Sequence, residues 1–158
     1  MVERTEFPFP QADDFDKIVT ILNVEDENKL NDKKSLGMLL GDVTERQVQY
    51  YISACQYLGL VSADKKYTDL GDKIRSLGED QQFVQLARLV ISKDIFGTVY
   101  FSEKSLGCKY SREDIIEIMH DHDLGFESDE MFKRRAQTVL KWVEWINDKF
   151  DQDLKNDK

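Results

Sequence analysis

The chain has 158 residues, of which 41% are hydrophobic, and a formal net charge of -9 at pH 7. This length suits one compact domain or two small ones that share an interface. No apolar run approaches the roughly 18 residues of a membrane span, and the charged start "MVERTEFPFP" lacks the apolar stretch of a signal peptide, so a cytoplasmic protein with no membrane partner is expected.

The acidic residues are concentrated in two segments. Residues 11–32 hold seven acidic and two basic residues, a net charge of -5, and residues 113–130 hold eight acidic residues and no Lys or Arg, a net charge of -8. Because these segments exceed the total of -9, the remainder of the chain is mildly positive, at +4. That remainder permits a DNA-binding face, although the globally basic composition typical of DNA-binding proteins is missing.

The first part of the chain predicts a helix-turn-helix. Pro8 and Pro10 indicate an extended lead-in over residues 1–12, and "DDFDKIVTILNV" has the helical spacing of apolar residues. "EDENKLND" is interpreted as a polar connector, and "KKSLGMLLGD" predicts a short helix that ends near Gly41. Thr44 is a suitable N-cap for the helix that follows.

That next helix has two distinct faces and is followed by a predicted β-hairpin. Its buried stripe consists of Val48, Tyr51, Ile52, Cys55 and Leu58. The predicted exposed face carries Arg46, Gln49, Tyr50, Ser53 and Tyr57. Gly59 ends the helix, and "LVS" and "YT" predict two short strands on either side of the tip "ADKK". Helix, turn, helix and two-stranded wing is the order of elements in a winged helix.

The remaining sequence predicts further helices. "EDQQFVQLARLVISKDIFGTVYF" predicts a helix that continues toward Phe101 and completes a winged-helix domain over residues 13–105. In a C-terminal helical unit, residues 106–150, Ser111 and Asp114 predict a capping box and Ser128 the N-cap of the last helix. The buried stripe of this last helix is predicted to be Phe132, Ala136, Val139, Val143 and Ile146. On or near its outer face are Lys133, Arg134, Gln137, Thr138 and Lys141. Residues 111–147 could form a second helix-turn-helix-like unit, and residues 151–158 are predicted to be a frayed tail.

Several segments resemble a known class of module. "TERQVQYYISACQYLGLV" and the later "KYTDLGDKI", with "FPFPQADDF" before and "FKRRAQTVLKWVEWI" after them, resemble the winged-helix modules that accompany type II restriction endonucleases and related prokaryotic DNA-targeting proteins. The resemblance covers most of the chain. It implies a mainly α fold, a winged helix-turn-helix with a small two-stranded wing and additional C-terminal helices. It also implies that the module docks on DNA while a partner protein supplies a nuclease or ATPase activity.

The candidate DNA contacts are polar and basic. Arg46 is the best candidate to reach a base edge or a phosphate, and Lys65 and Lys66 suit phosphates. The predicted DNA-binding residues are Thr44, Arg46, Gln47, Gln49, Tyr50, Ser53, Lys65, Lys66, Lys133, Arg134 and Lys141. The alternative is that they are ordinary solvent-facing residues, and an exposed Tyr50 and Tyr57 would also suit a protein interface.

Catalysis, metal binding and cofactors are not expected. Cys55 and Cys108 are too few for a zinc cluster or a disulfide framework, and Cys55 is predicted to be a reduced core thiol. His120 and His122 are two residues apart on a helix, so that their side chains point apart. No nuclease acid cluster on strands, phosphate-binding loop or nucleophile motif is present, which predicts a protein that is not an enzyme.

The sequence therefore predicts a DNA-binding protein. It would act as a transcriptional regulator or as the DNA-recognition component of a restriction or defence system, on double-stranded DNA and as a homodimer that pairs two half-sites. The alternative is a protein-protein interaction module that uses the same fold and its acidic surface to bind a basic partner or to imitate DNA.

Overall fold

The computed structural model describes residues 7–122, 125 and 128–156, with side chains described as far as residue 150. The described residues form eight α-helices and one 3-10 helix, which confirms the prediction of a mainly α protein. The elements are α1 Phe15–Leu22, the 3-10 helix Glu27–Asn31, α2 Lys33–Leu39, α3 Glu45–Tyr57, α4 Asp69–Arg75, α5 Glu79–Ile91, α6 Asp94–Leu106, α7 Arg112–His120 and α8 Asp129–Asn156. Two compact units divide within α5, the first ending at Leu86 and the second beginning at Ala87. Among the described helices, none combines the length and apolarity needed to cross a membrane.

The first unit is organised around α3, against which α1 and α2 pack. Phe15, Ile18, Ile21 and Leu22 of α1 are buried, because their spacing places them on one side of the helix. Gly37 of α2 lies so close to the following turn that an added Cβ would be 2.6 Å from the carbonyl oxygen of Val43. These three helices and the tight turn before α3 confirm the predicted order of helix, turn and helix.

Local hydrogen bonds fix both ends of α3. The Thr44 Oγ1 accepts from the backbone N–H of Gln47 at 3.2 Å, and the Gln47 Oε1 accepts from the N–H of Thr44 at 3.1 Å, so the two form a capping box. At the other end Gly59 has φ 81° and the N–H of Leu60 donates to the carbonyl of Cys55 at 2.9 Å. Both predicted helix boundaries are confirmed.

The predicted two-stranded wing is wrong. Within residues 7–122, 125 and 128–156 no strand is formed, and the segment contains one isolated bridge, between Val61 and Tyr67. The N–H of Ser62 donates to the carbonyl of Lys66 at 2.8 Å, which closes a tight loop in which Lys65 has φ 60°. Because α3 and its cap end just before this segment and α4 begins just after it, each side has too few residues for a ladder of strand pairs. The described residues are therefore mainly helical, and the predicted winged helix is not formed.

Polar contacts attach α4 and the loop before it to the end of α1. The Tyr67 hydroxyl donates to the carbonyl of Ile21 at 2.6 Å, and the Arg75 guanidinium lies over the Tyr67 ring at 3.9 Å while donating to the carbonyl of Val24 at 2.6 Å. The predicted polar connector after α1 contains the 3-10 helix, whose Leu30 is fully buried. The carbonyl of Ile21 in the last turn of α1 is thus satisfied by a residue distant in sequence, whereas the carbonyls of Val19 and Thr20 accept from the N–H of the nearby Asn23.

The second unit is a group of helices in which α6 and α7 both pack on α8. The Trp142 indole is fully buried and stacks on the Phe96 ring with centroids 4.9 Å apart. The capping box of Ser111 and Asp114 is confirmed, and Ser128 Oγ accepts from the N–H of Met131 at 3.3 Å as the predicted cap of α8. Of the predicted stripe on α8, Ala136, Val139, Val143 and Ile146 are buried.

Three further expectations are corrected. The helix predicted to run from "EDQQF" toward Phe101 is broken at residues 92–93 into α5 and α6. Tyr57 is buried, because the Phe9 ring lies 5.9 Å away in a tilted contact and the lead-in segment packs over it. Thr138 is also fully buried, and its hydroxyl donates to the carbonyl of Arg134 at 3.3 Å one turn earlier.

Candidate nucleic-acid interface

The outward face of α3, on which Arg46 is exposed and Gln49, Tyr50 and Ser53 are half-buried, carries two neighbouring hydrogen-bonded pairs. The Arg46 Nε donates to the Tyr50 hydroxyl at 3.0 Å, and the Gln49 Nε2 donates to the Ser53 Oγ at 3.0 Å. Each pair is four residues apart, the spacing at which side chains meet on one side of a helix. The four predicted contact residues therefore form one polar surface, here called the α3 face: Arg46, Gln49, Tyr50 and Ser53.

Arg46 is the one cation of the α3 face. Its side chain is exposed and its Cζ lies 5.8 Å from the centroid of the Tyr50 ring. Among the ion pairs between described residues none includes Arg46, and the neighbouring Glu45 is one position away, where side chains on a helix do not face each other. The guanidinium therefore keeps its charge available to an anionic or electron-rich ligand.

Thr44 and Gln47 have a structural role. Their side chains are exposed, but the Thr44 hydroxyl and the Gln47 amide oxygen accept the backbone hydrogen bonds of the capping box. The pattern Thr-x-x-Gln is itself a sequence signal for this box. They therefore hold the start of α3 in place, and whether they also touch DNA stays a prediction.

Lys65 and Lys66 lie in the loop after α3. The Gln56 Nε2 donates to the carbonyl of Ser62 at 3.0 Å, which attaches this loop to the last turn of the helix. Arg46 is in the first turn, and a helix of this length extends about 20 Å. The structure therefore places the two lysines and Arg46 at opposite ends of α3.

The three remaining predicted contacts belong to the second unit. Lys133, Arg134 and Lys141 are all exposed on α8, as the sequence predicts for its outer face. Lys141 is 4.0 Å from a carboxylate oxygen of Glu144, at the limit of an exposed ion pair, which contributes little. These cations form a basic stripe of their own on α8.

The histidines and cysteines have other environments. The His122 Nδ1 lies 2.9 Å from the carbonyl of Ile118 and its Nε2 lies 3.3 Å from a carboxylate oxygen of Asp94, so the ring connects the end of α7 to the start of α6. Cys55 is buried as predicted, and burial raises the pKa of its thiol to about 12, so little reactive thiolate forms near neutral pH. Over the part of the chain that the structure describes, no three His, Cys, Asp or Glu side chains are grouped as metal ligands.

An apolar cleft in the first unit was missed by the sequence reasoning. It has a volume of about 420 Å³ and lies between α1, the 3-10 helix and the end of α2, where Val19, Val24 and Leu39 line it beside Glu25 and Lys29. Leu39 is 54% exposed and the adjacent Met38 is 67% exposed. The available signal was the spacing in "SLGMLLGD", since one face of a short helix cannot bury all four of its apolar residues, Leu36, Met38, Leu39 and Leu40.

Comparisons with known proteins add a family and no activity. A family model described as domain of unknown function (DUF7226) matches residues 17–151. The comparisons with curated proteins and with solved structures found no match. The resemblance to restriction-associated modules and the expectation of a non-enzymatic protein therefore stay predictions.

Proposed function

We propose that the chain, which belongs to the family described as domain of unknown function (DUF7226), binds duplex DNA through the α3 face. The family description assigns no activity, so the support for DNA binding comes from the chain's own residues. DNA binding is compatible with both roles predicted from the sequence, which are a transcriptional regulator and the DNA-recognition component of a restriction or defence system. Binding to intracellular DNA would also agree with the cytoplasmic location predicted from the sequence.

One observation carries the proposal: Arg46 is exposed, makes no ion pair with the described residues, and sits in the first turn of the second helix of a helix-turn-helix. In DNA-binding proteins with this motif, the second helix enters the major groove with its N-terminal residues nearest the bases. All four residues of the α3 face lie on a single helix, and each of them has a side chain with a hydrogen-bonding group. A surface of that kind is complementary to base edges and phosphates.

The loop lysines supply the electrostatic part of the proposal. Lys66 is exposed and Lys65 is half-buried, and neither forms an ion pair with another described residue. Two neutralised phosphates give a slope of about -1.8 in log K against log salt, so a fourfold rise in salt weakens binding roughly twelvefold. The net charge of -9 opposes binding at a distance, and because salt screens this repulsion, the measured slope should be no steeper than about -1.8.

The test is a fluorescence anisotropy titration of mixed-sequence duplexes with the full chain at about 50 mM and about 200 mM salt. Arg46→Gln is expected to weaken binding about tenfold or more, because hydrogen bonds with a charged partner are worth about 1.5–3 kcal/mol. Arg88→Gln is the matched control, since Arg88 is exposed on α5 and its substitution removes the same charge from a residue outside the α3 face. Equal effects of the two variants, or no binding at the lower salt, would contradict the proposal.

The second candidate function is protein binding, and the cleft beside Met38 and Leu39 is the observation that favours it. Exposed apolar residues next to a concave surface are typical of partner sites. Glu25 and the exposed acidic residues near it suit a basic partner. A titration with an amphipathic leucine-lysine peptide tests it: Leu39→Asp should reduce binding several-fold, whereas an unchanged affinity would exclude the cleft as the site.

A further inference from the structure

We propose that Arg46 recognises guanine in the major groove and that Tyr50 is the residue that positions it. This inference rests on the proposed binding of duplex DNA and adds the base that the α3 face selects. The argument depends on three features: how the guanidinium is held, which of its donors remain, and what surrounds it.

The Tyr50 hydroxyl holds the Arg46 side chain along the helix. It accepts from Nε at 3.0 Å, and the guanidinium carbon stays 5.8 Å from the ring centroid. A long arginine side chain otherwise has several rotatable bonds, whose immobilisation on binding costs up to about 2 kcal/mol. Part of this ordering is already present before a ligand arrives, which is the condition for a selective contact.

The donors that remain form a fork. With Nε occupied by Tyr50, the two terminal nitrogens Nη1 and Nη2 make no hydrogen bond or ion pair with the described residues. Their parallel N–H groups match a pair of acceptors such as guanine O6 and N7, which is the commonest specific contact between a protein and the major groove.

The surroundings of Arg46 distinguish a base contact from a phosphate contact. The neighbours on the α3 face are an amide and two hydroxyl groups, Gln49, Ser53 and Tyr50, and none is a cation. Phosphate-binding surfaces collect several positive charges because each neutralised phosphate adds affinity. In this unit two adjacent pairs of cations lie outside the α3 face: Lys33 and Lys34 at the start of α2, and Lys65 and Lys66 in the loop at the other end of α3. A single arginine among neutral hydrogen-bonding groups is instead the composition of a surface that reads bases.

The experiment selects duplexes with a randomised centre at low salt, using the full chain and three variants. Arg46→Lys keeps the charge but loses the fork, Tyr50→Phe keeps the ring but loses the acceptor, and Arg88→Gln is the control that removes an exposed charge outside the α3 face. The wild type is expected to enrich guanine about tenfold at one position or more. Arg46→Lys should lose that preference while binding the unselected library with similar affinity, Tyr50→Phe should reduce it several-fold, and Arg88→Gln should retain it.

A second measurement tests the atoms. Replacing the enriched guanine by 7-deazaguanine removes the N7 acceptor, and should weaken the wild type about tenfold and Arg46→Lys hardly at all. Duplex binding without guanine enrichment overturns the guanine contact while leaving DNA binding intact, and the same enrichment by Arg46→Lys overturns the role of the guanidinium fork. An unchanged preference in Tyr50→Phe overturns the positioning role. No duplex binding by the wild type overturns the proposed function and this inference together.

Discussion

The Tyr67 hydroxyl is the most informative single group for the stability of the first unit. It donates to the carbonyl of Ile21 at 2.6 Å, in the last turn of α1, where a helix leaves its carbonyls without partners inside the helix. Tyr67 is buried, and none of the other described residues donates a hydrogen bond to that carbonyl. Tyr67→Phe therefore keeps the ring and deletes one buried hydrogen bond.

The expected loss is about 1–3 kcal/mol, because a buried carbonyl that has lost its donor cannot be hydrated. With a urea dependence of about 2 kcal/mol per M, this lowers the unfolding midpoint by roughly 0.5–1.5 M. Tyr50→Phe is the matched control, since it deletes a hydroxyl with the same chemistry from an exposed hydrogen bond. Its expected effect is below about 0.5 kcal/mol.

The hydroxyl also gives the prediction a pH dependence. Burial raises the pKa of Tyr67 to about 12, although the nearby Arg75 lowers it in part. The unfolded tyrosine ionises near its usual pKa of about 10, so its contribution is complete below pH 10 and is lost as pH rises through 12. The difference in stability between the wild type and Tyr67→Phe should accordingly shrink between pH 9 and pH 11.5.

The assay can separate the two units. Both tryptophans, Trp142 and Trp145, lie on α8, so tryptophan emission reports the second unit while circular dichroism at 222 nm reports all helices. Urea titrations followed by both signals locate the loss in the first unit or show that the units unfold together. A midpoint for Tyr67→Phe that equals that of Tyr50→Phe would refute the assignment of a stabilising buried hydrogen bond.

Substitutions at three further positions test the described packing and caps. Thr44→Ala should cost about 1 kcal/mol by removing the N-cap of α3, and Thr44→Ser should cost much less; urea midpoints measure both. Gly37→Ala should cost about 1–3 kcal/mol despite better helix propensity, because its Cβ would lie 2.6 Å from the carbonyl oxygen of Val43, and a wild-type melting temperature would contradict this. Trp142→Ala should cost about 3–5 kcal/mol, since the side chain is fully buried against Phe96, with loss of the cooperative melt followed by circular dichroism.

Local signals predicted the helices and their boundaries well. The caps at Thr44, Ser111 and Ser128 depend on side chains within three residues of the backbone groups that they satisfy, so the sequence contains the whole interaction. The prediction of a wing was wrong because a few β-prone residues form strands only when a neighbouring strand pairs with them. Here the caps of α3 and α4 occupy both ends of the segment. Strand formation depends on such context more than helix formation does.

Burial set by distant residues could not be predicted from periodicity. Tyr57 has the spacing of the exposed face but is covered by Phe9, nearly fifty residues earlier in the chain. For the candidate site, the sequence identified the α3 face correctly as one surface, because residues four apart on a helix must be neighbours. It did not indicate that Tyr50 holds Arg46, or that Met38 and Leu39 remain exposed beside a cleft.

The most direct test of DNA binding by the α3 face is an NMR titration of the ¹⁵N-labelled full chain with a mixed-sequence duplex at low salt. The account predicts that the largest amide shift changes occur in residues 44–53, with smaller ones in the loop around Lys65 and Lys66. Changes confined to the residues that line the cleft, or no changes at a several-fold excess of DNA, would contradict it.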